Sequence, residues 1–447
     1  FPHRRRDLRC HRQFVLGVLK LLSYSPRLRP RVMHLLVERL VDLDVQIAHQ
    51  LHLLEEANEE EENAIFEVDL PEASVEEVTK MQQNAEKLDE MMVLLFEFIN
   101  MVCGQRQLAL DHPDGGSIGS LSALPEAGPT LTGSIGEQTP SEVLFEALVS
   151  AFRVSVMQTY KCRSVQFLLF FCCSYEPAYA KAFIRLLLEQ VENDHLHTES
   201  RAASAAYVAS FLARAKFLPM DETLSWVKMM LSWASAHQDR TLARLLGQSP
   251  TLDVQLHGVF YAIVQGVLYV LCYKHELLLS VESTAAREEI GIALRPILFG
   301  PLNPLKFCLD NVVCEFERLG LCDCAQVIAQ NERLALGSRA VGGGANRLED
   351  FFPFDPIQLK RCAKLVGPLY QIWVPPQGSS EPRDSNLTSV ETGSECCSPD
   401  ASGSLTRSLQ AMSVTPLSGD DLEMQMRKRL NENKIMFHTM AAARAGA

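Results

Sequence analysis

The residues of this chain that could do chemistry are its cysteines and histidines, and none falls into a spacing that a reaction requires. Cys308, Cys314, Cys322 and Cys324 crowd into one stretch. No C-x2-C pair occurs, and the first two sit in a helical pattern, so the four read as buried thiols rather than a zinc set. Cys172-Cys173 ends the apolar run QFLLFFCC, where burial raises a thiol pKa and works against a nucleophile. His257, in the triplet LHG, reads as a capping or core residue, because no base-and-nucleophile pattern accompanies it. Gly342-Gly343-Gly344 lacks the Lys-Ser/Thr pair and the strand-to-helix setting of a phosphate-binding loop and reads as a connector. No paired carboxylates or Ser-His-Asp set stands out. The expectation is a protein that is not an enzyme, holds no metal or cofactor, and acts through its surface.

Charge limits what that surface can meet. The 42 Lys and Arg residues against 55 Asp and Glu give a net charge of −13, which excludes a surface given over to nucleic acid. Arg4, Arg5, Arg6, Arg9 and Arg12 form a local basic cluster, so DNA contact is expected to be weak or indirect. Thirteen scattered cysteines form no regular framework and read as the reduced thiols of an intracellular protein. The most apolar runs, 166–173 and 262–273, are too short to cross a bilayer. The chain opens Phe1-Pro2-His3 without an initiator Met and reads as N-terminally truncated.

The elements that would present such a surface are helices. Apolar residues recur at helical spacing at Val32, Leu35, Leu36, Leu40 and Leu43, at Leu88, Met91, Met92, Leu95 and Ile99, and at Val208, Phe211, Leu212 and Ala215. Asn303-Pro304 and Asp355-Pro356 have the form of a capping residue with Pro in the first turn, and predict helix starts. Short turns such as Ser25-Pro26 and Leu218-Pro219 predict antiparallel helix pairs, stacked as an all-α HEAT-like helical-repeat solenoid over residues 1–373. Within it, the acidic run EEANEEEE predicts a solvated, disordered loop at 55–75, and the Gly/Ser/Pro-rich segment 104–140 a flexible insertion. Residues 374–419 predict a disordered Ser/Pro-rich tail, and 420–447 a charged helical segment.

The most informative surface candidate lies on a helix predicted over 199–217. Its small residues Ala202, Ala203, Ala205, Ala206 and Ala209 permit close helix approach. Arg214 and Lys216 are expected on the two flanks of its apolar stripe, either free for a partner or solvating the helix end. The aromatic segment Phe351-Phe352-Pro353-Phe354, kept extended by its prolines, is expected to tuck across the last helical pair and close the solenoid's apolar end.

Four ordered stretches carry a resemblance: SFLARAKF at 210–217, DVQLHGVFYAIVQGVLYVLCYKHELL from Asp253, LNPLKFCL from Leu302, and FFPFDP followed by LKRCAKLVGPLYQIW between Phe351 and Trp373. They resemble the RNA polymerase I-specific transcription initiation factors of the Rrn type. The likeness extends back to residues 14–45 and stops at Trp373. It implies a HEAT-repeat solenoid in the nucleus and nucleolus that binds RNA polymerase I at its stalk and dock surface. It further implies that the factor favours the monomeric enzyme, bridges it to the promoter-bound core factor, and is tuned by phosphorylation. The stalk contact is associated with the segment matching Leu212, Ala213, Arg214, Ala215 and Lys216. Against that resemblance the sequence reads as lacking the family's N-terminal repeats and as differing in its tail, where Ser398-Pro399 and Thr415-Pro416 are candidate phosphorylation sites. The competing reading is a generic HEAT-repeat adaptor or nuclear transport scaffold.

Overall fold

The structure is a computed structural model that describes residues 1–3, 6–63, 73–104, 139–159, 162–245, 248–278, 284–339, 348 and 352–373. It is all-α, in keeping with a helical-repeat fold. Among the described residues β-type pairing is confined to an isolated antiparallel bridge between Ala215 and Tyr370. The helices are α1 (Leu8–Tyr24), α2 (Arg29–Asn63), α3 (Ala73–Cys103), α4 (Pro140–Ala151), α5 (Phe167–Cys173), α6 (Pro177–Glu192) and α7 (Thr198–Arg214). There follow α8 (Met220–Leu245), α9 (Val254–Tyr273), α10 (His275–Leu278), α11 (Thr284–Leu298), α12 (Asp310–Arg318), α13 (Ala325–Arg339) and α14 (Lys360–Val366).

Local chemistry sets several of these starts. Asp7 caps α1, its carboxylate accepting from the Cys10 N–H at 3.1 Å. Thr139 and Glu142 form a reciprocal capping box on α4, with Pro140 in the first turn, so two of the orphan N–H groups of that helix end are satisfied. Elsewhere the caps come from far along the chain. The buried carboxylate of Asp44 in α2 accepts from the N–H groups of Arg163, Ser164 and Val165, at 2.9, 2.7 and 3.2 Å, just ahead of α5. Asp89 in α3 accepts from the N–H groups of Arg361 and Cys362, both at 2.9 Å, in the first turn of α14.

Three sequence expectations are corrected here. Neither Asn303-Pro304 nor Asp355-Pro356 starts an α-helix. Asn303 adopts φ 42° and opens one 3₁₀ turn, its amide exchanging hydrogen bonds with that of Asn331 at 2.7 and 3.2 Å. Asp355 pairs with Arg214, and α14 begins five residues later. The acidic run at 55–62 continues α2, which extends to Asn63, glutamate being a good helix former; of the loop expected at 55–75, residues 64–72 lie outside the described residues. The predicted insertion at 104–140 and the segments 374–419 and 420–447 fall outside the described residues, apart from Gly104, Thr139 and Pro140.

At the centre, α9 lies between α7, α8 and α12. It is long and apolar enough to cross a membrane by length and composition, contrary to the short-run reading. In the fold its apolar window is 89% buried, and it is the core helix. A side chain the size of its Val, Leu, Phe or Tyr residues contributes roughly 1.5–3 kcal/mol when fully buried. The alanines of α7 do allow a close approach: a Cβ placed on Gly266 of α9 would stand 2.7 Å from the Cβ of Ala209 and 3.4 Å from Met230 Cε. Gly266→Val is therefore expected to destabilise the fold by about 1–3 kcal/mol through overpacking. In thermal denaturation the control Gly17→Ala, where an added Cβ meets nothing within 4 Å, is expected to hold or raise the midpoint.

Candidate functional site

The segment singled out in the sequence ends α7, and the way it ends decides what it exposes. Helix α7 stops at Arg214 because the backbone turns extended at Ala215 (φ −72°, ψ 104°). There it pairs with a chain segment about 150 residues further on. The Lys216 N–H donates to Leu369 O at 3.0 Å, and the Gln371 N–H donates to Arg214 O at 2.7 Å. The strap that supplies these partners, residues 352–373, crosses α5, α7 and α9. Gln371 Nε2 also donates to Tyr273 O at 2.8 Å, and the buried Lys274 ammonium donates to Gln371 Oε1.

This geometry revises the expectation for Arg214. Leu212, Ala213 and Ala215 are fully buried, and Arg214 is only 1% exposed. Its guanidinium sits 4.3 Å from the ring centroid of Tyr273, 5.2 Å from Tyr370 and 6.0 Å from Tyr269. One nitrogen, Nη2, reaches the half-exposed Asp355 at 3.2 Å. Burial alone would lower its pKa, but the tyrosines and Asp355 overcome that and raise it, so the cation persists. The aromatic faces carry the negative end of the ring quadrupole, which suits a guanidinium withdrawn from water. Burial lifts the hydroxyls in turn, and Tyr273 is pushed up to about 12. Helical periodicity puts Arg214 at a flank, but this end of α7 is buried on every face, Tyr207 through Arg214 alike, because the strap covers the side that periodicity leaves open. Of the five residues, Lys216 alone is exposed.

The strap also corrects the expectation for the aromatic segment. It does not close an end of the array, because it packs at the centre. Phe354 is fully buried among the rings of Phe167, Phe170, Tyr207 and Phe211, with centroids 5.5, 5.2, 5.8 and 5.7 Å away. Phe352 stacks on Tyr269 at 4.0 Å. Sequence reasoning missed Asp355, Tyr370 and Gln371 as partners of the α7 end. The signal was there only as the matched stretch LVGPLYQIW, whose spacing says nothing about where it docks.

The remaining candidates divide as follows. Cys172 and Cys173 are buried in α5, and their thiol pKa values are pushed well up, that of Cys173 by burial and that of Cys172 first by its hydrogen bond to Cys103. Cys308, Cys322 and Cys324 are buried and Cys314 partly so, and no three His, Cys, Asp or Glu side chains converge as a metal set among the described residues. Arg4 and Arg5, Ser398, Thr415 and Gly342-Gly343-Gly344 lie outside the described residues.

His257 is buried at a kink in α9, its Nδ1 3.3 Å from Nε2 of His237 in α8. His237 also stacks between Trp233 and Phe260. Burial, then the neighbouring His257 and the arginines Arg240, Arg201 and Arg244, pull its pKa from 6.5 to about 4. His237 is thus neutral in the fold, while the unfolded chain takes up its proton near 6.5. The stability it contributes is complete above that value and falls as pH drops from about 6.5 towards about 4. After discounting for partial exposure the loss is roughly 1–2 kcal/mol. Urea midpoints measured between pH 7.5 and 5 are expected to fall, and His237→Gln to flatten that fall.

Comparison with known proteins fits this architecture. A family model described as RNA polymerase I specific transcription initiation factor RRN3 matches residues 1–378. The mouse RNA polymerase I-specific transcription initiation factor RRN3 is 30% identical over 410 residues, covering 85% of this chain and 57% of that protein. The Schizosaccharomyces pombe factor of the same description is 25% identical over 431 residues, covering 88% of this chain and 65% of its own length. The chain thus spans 57–65% of these two relatives. A crystal structure of RNA polymerase I transcription initiation factor Rrn3 superposes with a TM-score of 0.61 at 20% identity, over 83% of this chain and 68% of that one, so the two share a fold. The match over residues 1–378, which takes in α7, α9 and the strap, places the chain in the RRN3 family of RNA polymerase I specific transcription initiation factors.

Proposed function

We propose that this chain serves RNA polymerase I initiation in the nucleus and nucleolus by binding polymerase I at its stalk and dock surface and bridging it to the promoter-bound core factor. The family match over residues 1–378 carries this reading. No catalysis is required of it: the work is done by a surface held on a helical frame. Within the segment 212–216, the direct contact is assigned to Lys216, which stands exposed. Arg214 acts through the fold, holding the end of α7 against the strap. DNA contact is weak or indirect, and phosphate on Ser398 or Thr415 tunes the polymerase contact by adding about −1.5 to −2 charges.

The test is co-purification of the chain with purified RNA polymerase I and, separately, polymerase II. Binding to polymerase I alone is expected, weakened roughly 5- to 30-fold by Lys216→Glu, the range of about 1–2 kcal/mol for a reversed contact charge. Equal binding to both polymerases, or to neither, would discard the reading in favour of a general helical-repeat adaptor.

A further inference from the structure

The strap turns a basic edge outward. Its charged residues are Asp355, Lys360, Arg361 and Lys364. Asp355 is taken by Arg214, and Arg361 pairs with the buried Glu90, which also holds Arg12 at 2.8 Å. The carboxylate of Asp89 is taken up by the first N–H groups of α14. With these acids engaged, Lys360 and Lys364 stand exposed one helical turn apart, while Cys362, Leu365 and Val366 form the buried side of α14.

The exposed side runs on through Gly367 and Pro368 to the half-buried Leu369, whose carbonyl accepts from the Lys216 N–H at 3.0 Å. From Lys364 to Leu369 the chain advances roughly 9 Å, at helical rises of about 1.5–2.0 Å per residue. A standard protein interface takes about 800 Å² per side, a patch roughly 30 Å across. A partner centred on Lys216 therefore covers Lys364 as well. Neither of these two lysines is held in an ion pair among the described residues, and they stand on a chain whose net charge is −13. Apolar surface lies among them, with Ile372 42% exposed just past the bridge residue Tyr370.

We propose that Lys364 and Lys216, with Lys360 beside them, form one docking edge for an acidic protein surface, so that the strap shares the polymerase I contact with the end of α7. This rests on the polymerase I reading above and names the chemistry of the surface that meets it: carboxylates spaced to face the lysines, around an apolar centre that meets Pro368, Leu369 and Ile372. Charges arranged this way orient a partner and speed its encounter. A phosphate backbone would make no use of the apolar residues, and the overall negative charge opposes it. The bond between Lys216 and Leu369 holds both parts of the edge in one frame, which is why a contact on α7 extends to residues about 150 positions later.

The experiment acetylates the lysines of the full wild-type chain, free and bound to purified RNA polymerase I, and reads each site by mass. Lys216, Lys360 and Lys364 are expected to lose reactivity together in the complex. In binding assays Lys364→Glu should weaken the complex roughly 5- to 30-fold, as Lys216→Glu does, and Lys306→Glu, the same reversal at an exposed lysine off the edge, by less than about twofold. Lys364→Gln, which puts no negative charge at the C-terminal end of α14, should show a smaller loss in the same direction. Protection of Lys216 without Lys364, or a Lys364→Glu chain that binds as the wild type does, overturns the proposal and leaves the polymerase I reading standing. Equal losses from Lys364→Glu and Lys306→Glu overturn it as an effect of net charge alone. Protection of the three lysines by a short DNA duplex and not by polymerase I assigns the edge to nucleic acid and overturns it as well. A chain that binds no polymerase I leaves all three lysines reactive, and removes the proposal together with the reading it rests on.

Discussion

Arg214→Glu is expected to unfold the centre of the molecule, while Lys216→Glu, two residues on, is expected to leave the melting temperature unchanged and to alter binding alone. The contrast follows from where α7 ends. Arg214 lies among three tyrosine rings with Asp355 as its charged partner. A glutamate there would put a second negative charge beside Asp355 and against the negative ring faces, in a place that now holds a cation. Removing one member of a buried charge pair destabilises by roughly 3–5 kcal/mol, and reversing it does more. Arg214→Met retains the apolar stem and leaves Asp355, with 55% of its side chain exposed, to water, so much of the loss should be recovered. Thermal melts followed by circular dichroism would rank the variants Lys216→Glu, Arg214→Met, Arg214→Glu. An Arg214→Glu protein that melts with the wild type would refute this account of the site. A polymerase I binding defect in Arg214→Glu would by itself say nothing about contact, because the fold is lost first.

Phe354→Ala is expected to be comparably damaging. The ring is fully buried within 6 Å of four others, and loss of such a side chain leaves a cavity that its neighbours fill only in part. The expected destabilisation is about 3–5 kcal/mol. The backbone of Phe354 is also fixed, its N–H donating to Ser210 Oγ at 3.0 Å and its C=O accepting from the Tyr370 hydroxyl at 2.7 Å. Ser210→Ala removes one such bond and should lower stability by only about 1 kcal/mol. Chemical denaturation would separate the two. A small effect for Phe354→Ala would mean that the strap lies on the helices without being built into them.

What could be read in the sequence was whatever repeats locally. Apolar spacing identified α2, α3 and α7, and the alanines of α7 signalled a close neighbour, because both features belong to one helix at a time. What could not be read was supplied from a distance. Asp355-Pro356 has the composition of a helix start, but its carboxylate is taken by Arg214 and α14 is capped instead by Asp89, more than 270 residues away. Arg214 has the spacing of a flank residue, yet the strap that pairs with this end of α7 through Leu369 and Gln371 lays Asp355 and Tyr370 over that flank and buries the guanidinium. The sequence motif around the site was thus legible before its geometry.

The pairing of Ala215 with Tyr370 also sets an order of events during synthesis. A ribosome that has just completed α7 must add about 150 residues before the strap exists, roughly 8–30 s at translation speeds of about 5–20 residues per second. For that interval the nascent chain holds Arg214 without Asp355, and the pocket of Phe167, Phe170 and Phe211 without Phe354. An ordinary repeat array can set one unit on the last as each emerges, but here the middle waits for the far end. The period before strap docking is when chaperones have most to hold, and a stalled or truncated chain ending before Tyr370 would stay in that state.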